Sequence, residues 1–231
     1  MIRFSAIVVA AGRGLRFGRS KQLVDVLGRP LVAWSLATFD GMGELADLVI
    51  ATEAEQLETM REIAAAYAPR LRCVVVCGGA TRQQSVRNAL AAVPAHCDGA
   101  FVHDGARPLV SAEDVRAGMA LVAPGIGALL AAPVSDTIKV VAPDGAVSRT
   151  LDRSELWAAQ TPQFGTLADL RAAHASAHGA AFEGTDDAML LERAGHRVVV
   201  VPASTANFKV TLRGDRDLAE AILRERAAVR A

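Results

Sequence analysis

The sequence has no excess of either charge, few aromatic residues and no long apolar run. Lys plus Arg and Asp plus Glu both number 25, and Phe, Trp and Tyr make up only 4% of the chain. Proteins that bind nucleic acid normally have a basic surface and often stack bases on aromatic rings. The longest apolar stretch, residues 125–134, is shorter than the roughly 18 residues that a membrane-spanning helix requires. We therefore expect no nucleic-acid partner and no membrane partner.

Cysteine is scarce as well. Cys73, Cys77 and Cys97 are odd in number and show no CxxC spacing, which favours reduced, mostly buried thiols over a disulfide or a metal site. The apolar run near the amino terminus leads directly into Gly and Arg without a cleavage site. We therefore predict a cytoplasmic location.

The chain alternates between short β-branched runs and segments of helical spacing. Strands are predicted at residues 5–10, 47–52, 71–77, 99–103 and 197–201, and helices at residues 30–39, 53–67, 81–93 and 112–121. Apolar strands interleaved with amphipathic helices indicate a buried parallel sheet covered on both faces. The prediction is one α/β domain over residues 1–231, three-layered and Rossmann-like, with a mostly parallel sheet.

One segment interrupts that alternation. Residues 137–142 and 146–150 flank the turn signal Pro143-Asp144-Gly145, which predicts a β-hairpin inserted at residues 136–153. An isolated two-stranded hairpin is marginally stable in water, so it must pack on its own domain or on a second subunit.

A glycine-rich loop follows the first predicted strand. Residues 10–16 read AAGRGLR, and Lys21 follows after four further residues. Glycines at a strand end let backbone amides approach phosphate oxygens, and Arg16 and Lys21 add the positive charge that a triphosphate needs. The loop matches neither the Walker A pattern nor the Rossmann fingerprint. The alternative is a glycine turn with solvated basic residues.

Two further strand ends carry polar side chains. Gly78-Gly79-Ala80 follows the third strand. The backbone amides there and the Ser85 hydroxyl could form hydrogen bonds to a base or a ribose. The alternative is that Thr81 simply caps the following helix. Asp104 follows the fourth strand, where a carboxylate facing phosphates suits Mg²⁺; the alternative is an ordinary Asp-Gly turn.

The remaining polar residues give weaker signals. A polyanion site is favoured because five cations fall in predicted loops: Arg16, Lys21, Arg107, Arg153 and Lys209. Thr185 precedes a helix and could simply be its N-cap. His174 and His178 are four residues apart, but no third ligand or HExxH pattern accompanies them. A solvated helix face is therefore expected there rather than a metal site.

Eight motifs, in order and spacing, resemble the 2-C-methyl-D-erythritol 4-phosphate cytidylyltransferase family. They read AAGRGLR with Lys21, GGATRQQSV, VHDGARP, APVSDTIK, LDRSELW, TPQ, GTDDA and NFKVT, and the resemblance covers residues 5–221. The resemblance implies a homodimer of a nucleotidyltransferase-type α/β domain with a protruding, interlocking β-arm. It also implies transfer of CMP from CTP to methylerythritol phosphate, with release of pyrophosphate, in the non-mevalonate route to isoprenoids.

The resemblance also assigns roles to residues. Arg16, Lys21 and Lys209 match catalytic positions, and Asp104 matches the ligand of Mg²⁺ or another divalent cation on the substrate side. The nucleotide-binding positions are Ala10, Ala11, Gly12, Gly14, Gly79, Ala80, Ser85 and Gly105. The other substrate-binding positions are Arg107, Thr161, Thr185 and, from the partner's arm, Thr137 and Arg153.

The sequence departs from the family pattern in three places. Only four residues separate Arg16 from Lys21, Ala80 stands where an acidic residue often follows the glycines, and Ala206 replaces a frequent acid before Asn207. Ala80 can therefore contribute only backbone atoms. Two alternatives remain open, a ribitol 5-phosphate cytidylyltransferase and a dimer that senses nucleotides without catalysis.

Overall fold

The computed structural model describes residues 2–12 and 21–230. Within these ranges the strands are β1 (Phe4–Val9), β2 (Asp25–Val26), β3 (Arg29–Pro30), β4 (Leu45–Thr52), β5 (Arg72–Cys77), β6 (Gly99–Asp104), β7 (Ile126–Pro133), β8 (Lys139–Val141), β9 (Val147–Thr150), β10 (Trp157–Thr166) and β11 (Arg197–Pro202). The α-helices are α1 (Leu31–Asp40), α2 (Leu57–Tyr67), α3 (Arg82–Ala92), α4 (Ala112–Leu121), α5 (Leu167–Gly179), α6 (Asp187–Arg193) and α7 (Arg213–Arg230).

Seven of these strands form one sheet in the order β11-β7-β10-β6-β1-β4-β5. Every neighbouring pair is parallel except the two pairs of β10, which runs antiparallel to both β6 and β7. The predicted mostly parallel α/β sheet is therefore confirmed. No helix in the described part of the chain combines the length and apolar character needed to cross a bilayer.

Helices cover both faces of the sheet because side chains alternate along each strand. On β1, Ala6 and Val8 belong to a core cluster that includes Leu36 of α1. Ile7, between them, belongs to a second cluster that includes Val86 of α3. The two buried clusters on opposite faces are the three-layer arrangement expected from the sequence.

The strands β7 and β10 were not predicted. β7 lies within the apolar stretch at residues 125–134. β10 contains a cis peptide bond between Thr161 and Pro162, and its pairing with β7 shifts register between Ala159 and Gln163. A bulge tolerates proline inside a sheet because no ladder hydrogen bond is required there.

The segment predicted as a hairpin contains β8 and β9, which pair antiparallel. Gly145 in their connecting turn has a φ of 87°, a conformation that glycine adopts without strain. Every residue of β9 is exposed, and Val141 and Val147 are 55% and 59% exposed. The packing of this hairpin on a second subunit stays a prediction.

The cysteines differ partly from expectation. All three are free, but only Cys97 is buried; Cys77 is exposed and Cys73 is intermediate. The expectation of mostly buried thiols is therefore correct for Cys97 alone, because Cys77 is the last residue of the edge strand β5.

Candidate functional site

Three predicted loops meet at one edge of the sheet. The backbone amide of Ala10 donates to the Ala51 carbonyl, that of Gly78 to Thr52, and that of Gly105 to Val9. The loops therefore begin side by side, at the carboxyl ends of the parallel strands β1, β4, β5 and β6. Such ends are where open α/β sheets bind ligands.

The first two loops are in close contact. A Cβ atom added to Gly78 would lie 2.5 Å from the Cβ atom of Ala11, and one added to Gly12 would lie 3.3 Å from the Gln22 side-chain nitrogen. Only a residue without a side chain fits at Gly78. The predictions for Gly14 and Arg16 lie outside the described residues, which resume at Lys21.

The second loop is held by side chains of α3. Gly79 donates its amide to the Ser85 hydroxyl over 3.0 Å, and Ser85 donates to the Thr81 carbonyl over 2.9 Å. Ala80 donates its amide to the Gln84 side-chain oxygen over 2.9 Å. Thr81 does cap α3, since its side chain accepts from the Gln84 amide. Ser85 is buried and fixes the loop; its contact with a nucleotide stays a prediction.

A cluster of charges surrounds Asp104 at the end of β6. Its Oδ1 atom accepts from Arg82 Nε over 3.0 Å, and its Oδ2 atom accepts from Lys209 Nζ over 2.8 Å. Burial alone would raise the pKa of Asp104, but the charges of Arg82 and Lys209 hold that pKa well below its usual range. The carboxylate is therefore ionised at neutral pH and bound to two cations.

Arg82 joins Asp104 to a second buried carboxylate. Its terminal nitrogen lies 2.8 Å from Asp187 Oδ2, and Asp187 Oδ1 lies 3.0 Å from His174 Nε2. Asp187 and His174 are both 1% exposed. Burial favours a higher pKa for Asp187, yet Arg82 and the His174 hydrogen bond lower it.

Two sequence-based interpretations are corrected here. His174 does not lie on a solvated helix face; it is buried and bound to Asp187. Thr185 is exposed and is not the N-cap of α6, because Asp186 accepts from the Met189 amide in that role. Arg82 and Asp187 were not singled out, although the motifs GGATRQQSV and GTDDA contain them; their contact across 105 residues is not visible in spacing.

A ring of hydrogen bonds joins β6, β10 and the loop that carries Lys209. The Asp104 amide donates to Thr161 Oγ1, and His103 Nδ1 lies 3.2 Å from the same oxygen. His103 Nε2 contacts the Arg107 carbonyl. The Arg107 guanidinium donates to the Asn207 carbonyl over 2.7 Å. The Asn207 side-chain amide donates to the Thr161 carbonyl, which closes the ring.

The ring determines the protonation of His103. A carbonyl oxygen only accepts, so Nε2 must carry the hydrogen that points to Arg107. Burial lowers the pKa of His103 to about 4, so Nδ1 is a bare acceptor for the Thr161 hydroxyl. Thr161 and Arg107 were predicted to bind substrate, and in the structure both form hydrogen bonds within the protein. Their contacts with substrate stay predictions.

Lys21 and Lys209 approach the same short segment. Lys21 starts a one-turn helix, Lys21–Leu23, and its Nζ atom donates to the Val210 carbonyl over 3.4 Å. Val210 follows Lys209 directly in the chain. Two ammonium groups that are far apart in sequence are therefore brought to one strand-end loop, as a site for a polyanion requires.

Thr137 and Arg153 lie away from this cluster, in the hairpin segment. Both side chains are exposed, and Arg153 donates to the Ser135 carbonyl over 2.8 Å. It starts a short helix, Arg153–Glu155, that Asp152 caps. Their assignment to the site of a partner subunit stays a prediction.

Asp104 fits the requirements of a divalent cation site. Mg²⁺ in phosphate-binding proteins takes one or two carboxylates and completes its shell with waters and substrate phosphates. Asp104 is an ionised carboxylate at the same edge of the sheet as the two glycine loops. Lys209 Nζ, which donates to Asp104 Oδ2, is the cation that a metal would replace.

Asp47, His96 and Cys97 form another group of potential metal ligands, at the opposite edge of the sheet. Their ligand atoms lie within 4.8 Å of one another, but Arg72 Nε also donates to Asp47 over 2.8 Å. Arg72 already supplies the positive charge that a metal would bring. Burial raises the pKa of Cys97 to about 11, so its thiol remains a hydrogen-bond donor to Asp47.

Comparison with known proteins identifies the family. The family model described as 2-C-methyl-D-erythritol 4-phosphate cytidylyltransferase matches residues 4–225. A protein of that name from Halalkalibacterium halodurans is 40% identical over 228 residues, covering 97% of this chain and 99% of that protein.

Solved structures agree with this assignment. A structure from Thermus thermophilus with the same name matches with a TM-score of 0.76 and 34% identity, covering 95% of this chain and 98% of that chain. A 4-diphosphocytidyl-2C-methyl-D-erythritol synthase from Anaerococcus prevotii matches with a TM-score of 0.83 and 27% identity, covering 96% and 98%. The chain therefore belongs to the 2-C-methyl-D-erythritol 4-phosphate cytidylyltransferase family.

Proposed function

We propose that the protein transfers CMP from CTP to 2-C-methyl-D-erythritol 4-phosphate, giving CDP-methylerythritol and pyrophosphate in the non-mevalonate isoprenoid pathway. Family membership over residues 4–225 supports this reaction. The observation that carries it is the convergence of the first glycine loop, Asp104, Lys21 and Lys209 at one strand edge. That edge combines backbone amides, a carboxylate and cations, the groups that a nucleoside triphosphate needs.

The reaction needs no covalent nucleophile from the protein. The phosphate of the acceptor is already anionic near neutral pH and attacks the α-phosphate of CTP directly. Two polyanions must approach each other, so the work of the site is positioning and charge neutralisation. In this proposal Lys21, with Arg16, stabilises charge on the α-phosphate and the departing pyrophosphate, while Lys209 binds on the acceptor side.

Asp104 would hold Mg²⁺ or another divalent cation. When bound, the cation supplies positive charge shared between phosphate oxygens. The backbone of residues 10–12 and 14 holds the triphosphate in this proposal, although the Ala10 amide itself is already bonded to the Ala51 carbonyl. Gly79, Ala80, Ser85 and Gly105 surround the cytosine and ribose, with Ala80 contributing backbone atoms only. The acceptor contacts are assigned to Arg107, Thr161 and Thr185.

We also propose a homodimer in the cytoplasm, where CTP is available. The hairpin, on which Val141 and Val147 are exposed, supports a contact with a second subunit, because an isolated two-stranded hairpin is only marginally stable in water. Thr137 and Arg153 would then bind the acceptor phosphate in the partner's site.

The direct test is pyrophosphate release with CTP and Mg²⁺, offering methylerythritol 4-phosphate and ribitol 5-phosphate in parallel. Turnover with the first acceptor and not the second is expected. Turnover with ribitol phosphate alone would preserve the phosphate site and overturn the acceptor. Absence of turnover with both, while CTP still binds, would contradict a catalytic function.

A further inference from the structure

Four side chains connect the Asp104 carboxylate to the interior of α5. In order they are Asp104, Arg82, Asp187 and His174, joined by contacts of 3.0, 2.8 and 3.0 Å. We propose that Asp187, held by His174, is a positioning residue that fixes the Arg82 guanidinium and thereby keeps one oxygen of Asp104 available to the metal–nucleotide complex. This inference rests on the proposed function.

The geometry of Arg82 shows what Asp187 does. Arg82 is the first residue of α3 and uses Nε for Asp104 and a terminal nitrogen for Asp187. A guanidinium that faces one carboxylate alone prefers two parallel hydrogen bonds to it. Without Asp187, Arg82 is free to turn this two-nitrogen edge to Asp104 and occupy both of its oxygens.

The present arrangement leaves Asp104 Oδ2 to Lys209, the more exposed of the two cations. Lys209 has a flexible side chain and is 38% exposed, whereas Arg82 is 26% exposed and bound at both ends. Of the two oxygens, Oδ2 would therefore be the one available to a divalent cation, because Arg82 holds Oδ1. Asp187 therefore sets which oxygen of Asp104 remains exchangeable.

His174 supplies an independent observation. Its Nε2 atom contacts Asp187, but its buried Nδ1 atom has no hydrogen-bond partner among the described residues. An unpaired buried nitrogen costs free energy that an apolar side chain at this position would avoid. A histidine here is explained by the bond that it makes to Asp187, which fixes the second oxygen of that carboxylate.

Each cation in the chain is bound to a carboxylate. Arg82 binds both Asp104 and Asp187, and Lys209 binds Asp104. Removing the charge of Asp187 leaves both cations to compete for Asp104 alone. The affinity of Asp104 for a divalent cation must then fall, although no residue that touches the cation has changed.

The experiment measures Mn²⁺ binding to the protein with CTP, and without acceptor, by electron paramagnetic resonance. Asp187→Asn keeps the shape of the side chain, and we expect it to weaken Mn²⁺ binding roughly 10–100-fold, in the range typical of groups behind a metal ligand. In turnover assays kcat should fall more than KM for CTP rises. Asp186→Asn is the matched control, since Asn also caps helices; it should leave Mn²⁺ binding unchanged.

His174 provides a second pair of variants, which decides the matter should Asp187→Asn fail to fold. His174→Gln keeps a donor for Asp187 and should retain most of the Mn²⁺ affinity, whereas His174→Leu should lose it as Asp187→Asn does. Wild-type Mn²⁺ affinity in folded Asp187→Asn, or equal affinities in the two His174 variants, would overturn the proposal. A wild-type protein that binds Mn²⁺ and CTP but releases no pyrophosphate would contradict the function and leave this inference standing.

Discussion

The two ammonium groups near residues 209–210 give the proposed chemistry its clearest test at the scale of single residues. Lys21→Ala should reduce turnover by roughly 10³–10⁵, by analogy with other cations that stabilise phosphoryl transfer. CTP affinity should change far less, because the glycine loop that we propose to bind the ground-state triphosphate remains. Single-turnover kinetics and equilibrium dialysis with CTP separate these effects.

Arg61→Ala is the control for Lys21→Ala. Arg61 is a half-exposed cation of α2 that pairs with Glu58 on the same helix, so its loss should leave turnover unchanged. A Lys21→Ala variant with near wild-type turnover would show that Lys21 does not stabilise the transition state.

Asp47 carries a stability prediction. Its burial would raise its pKa, but hydrogen bonds from Arg72, His96 and Cys97 lower it overall. A carboxylate with a lowered folded-state pKa stabilises the fold above its unfolded value of about 4, and this contribution is lost as the pH falls through the folded value. Asp47→Asn should therefore cost about 1–3 kcal/mol at pH 7, and the difference from wild type should shrink below about pH 4.

Urea denaturation at neutral and acidic pH measures this difference. Glu58→Gln, at an exposed pair on α2, should change the free energy of unfolding little at either pH. An Asp47→Asn variant whose deficit is the same at both pH values would contradict the assignment of the effect to ionisation of Asp47.

The role of a single residue could be predicted where it depends on residues nearby in the sequence. Asp104 and Thr81 could be anticipated because a strand end and a helix start are visible in a few neighbouring residues. His174 could not, because its burial depends on Asp187, a partner on another helix. Arg82 was missed for the same reason, since both of its carboxylates are distant in sequence.

At the scale of elements, the second glycine loop packs so closely on α3 that no side chain fits at Gly79. A Cβ atom at Gly79 would lie 2.3 Å from Gln84 Cβ, so Gly79→Ala forces the loop away from α3. Overpacking of this kind costs about 1–3 kcal/mol. If the loop must keep its present position to bind CTP, this cost is paid only in the CTP complex, and CTP affinity decreases roughly 10–100-fold.

Isothermal titration with CTP tests this expectation. Gly179→Ala, at the end of α5 where an added Cβ meets nothing within 4 Å, should leave CTP affinity unchanged and thermal stability equal or slightly higher. Equal CTP affinity in Gly79→Ala and wild type would show that this loop does not contact the nucleotide.

The elements themselves were predictable where they follow the α/β rhythm. The strands β1, β4, β5 and β6 are short apolar runs between turn signals, and the predicted ranges cover most of each. β10 escaped prediction because Pro162 and polar residues break its alternation. β10 runs antiparallel to its neighbours, and its pairing with β7 contains a register shift. Both features depend on tertiary contacts that override the local sequence pattern.

At the scale of the whole molecule, our proposal completes the site with a residue from a second chain. Lys209 binds Asp104 and Lys21 contacts the adjoining Val210 carbonyl, whereas Arg153 lies on the exposed hairpin segment. A dimer whose hairpin reaches the other subunit would supply Arg153 to the site of its partner. The sequence alone predicts the hairpin but cannot distinguish packing on its own domain from this exchange.

Mixed dimers distinguish the two arrangements. Lys209→Ala and Arg153→Ala should each be nearly inactive as homodimers. When the two variants are co-expressed with different tags, half of the dimers are mixed, and one of their two sites contains both native residues. Activity should therefore recover to about a quarter of the wild-type value in the unfractionated mixture if the site is shared.

The matched control combines Lys209→Ala with Lys21→Ala. Both residues belong to the same chain's site, where Lys21 Nζ contacts the carbonyl next to Lys209, so a mixed dimer of these two variants has no intact site and should remain inactive. Recovery with Arg153→Ala but not with Lys21→Ala requires that Arg153 act across the subunit interface. No recovery in either mixture, with mixed dimers verified by tandem affinity purification, would place Arg153 in its own chain's site and remove the reason for the exchanged hairpin.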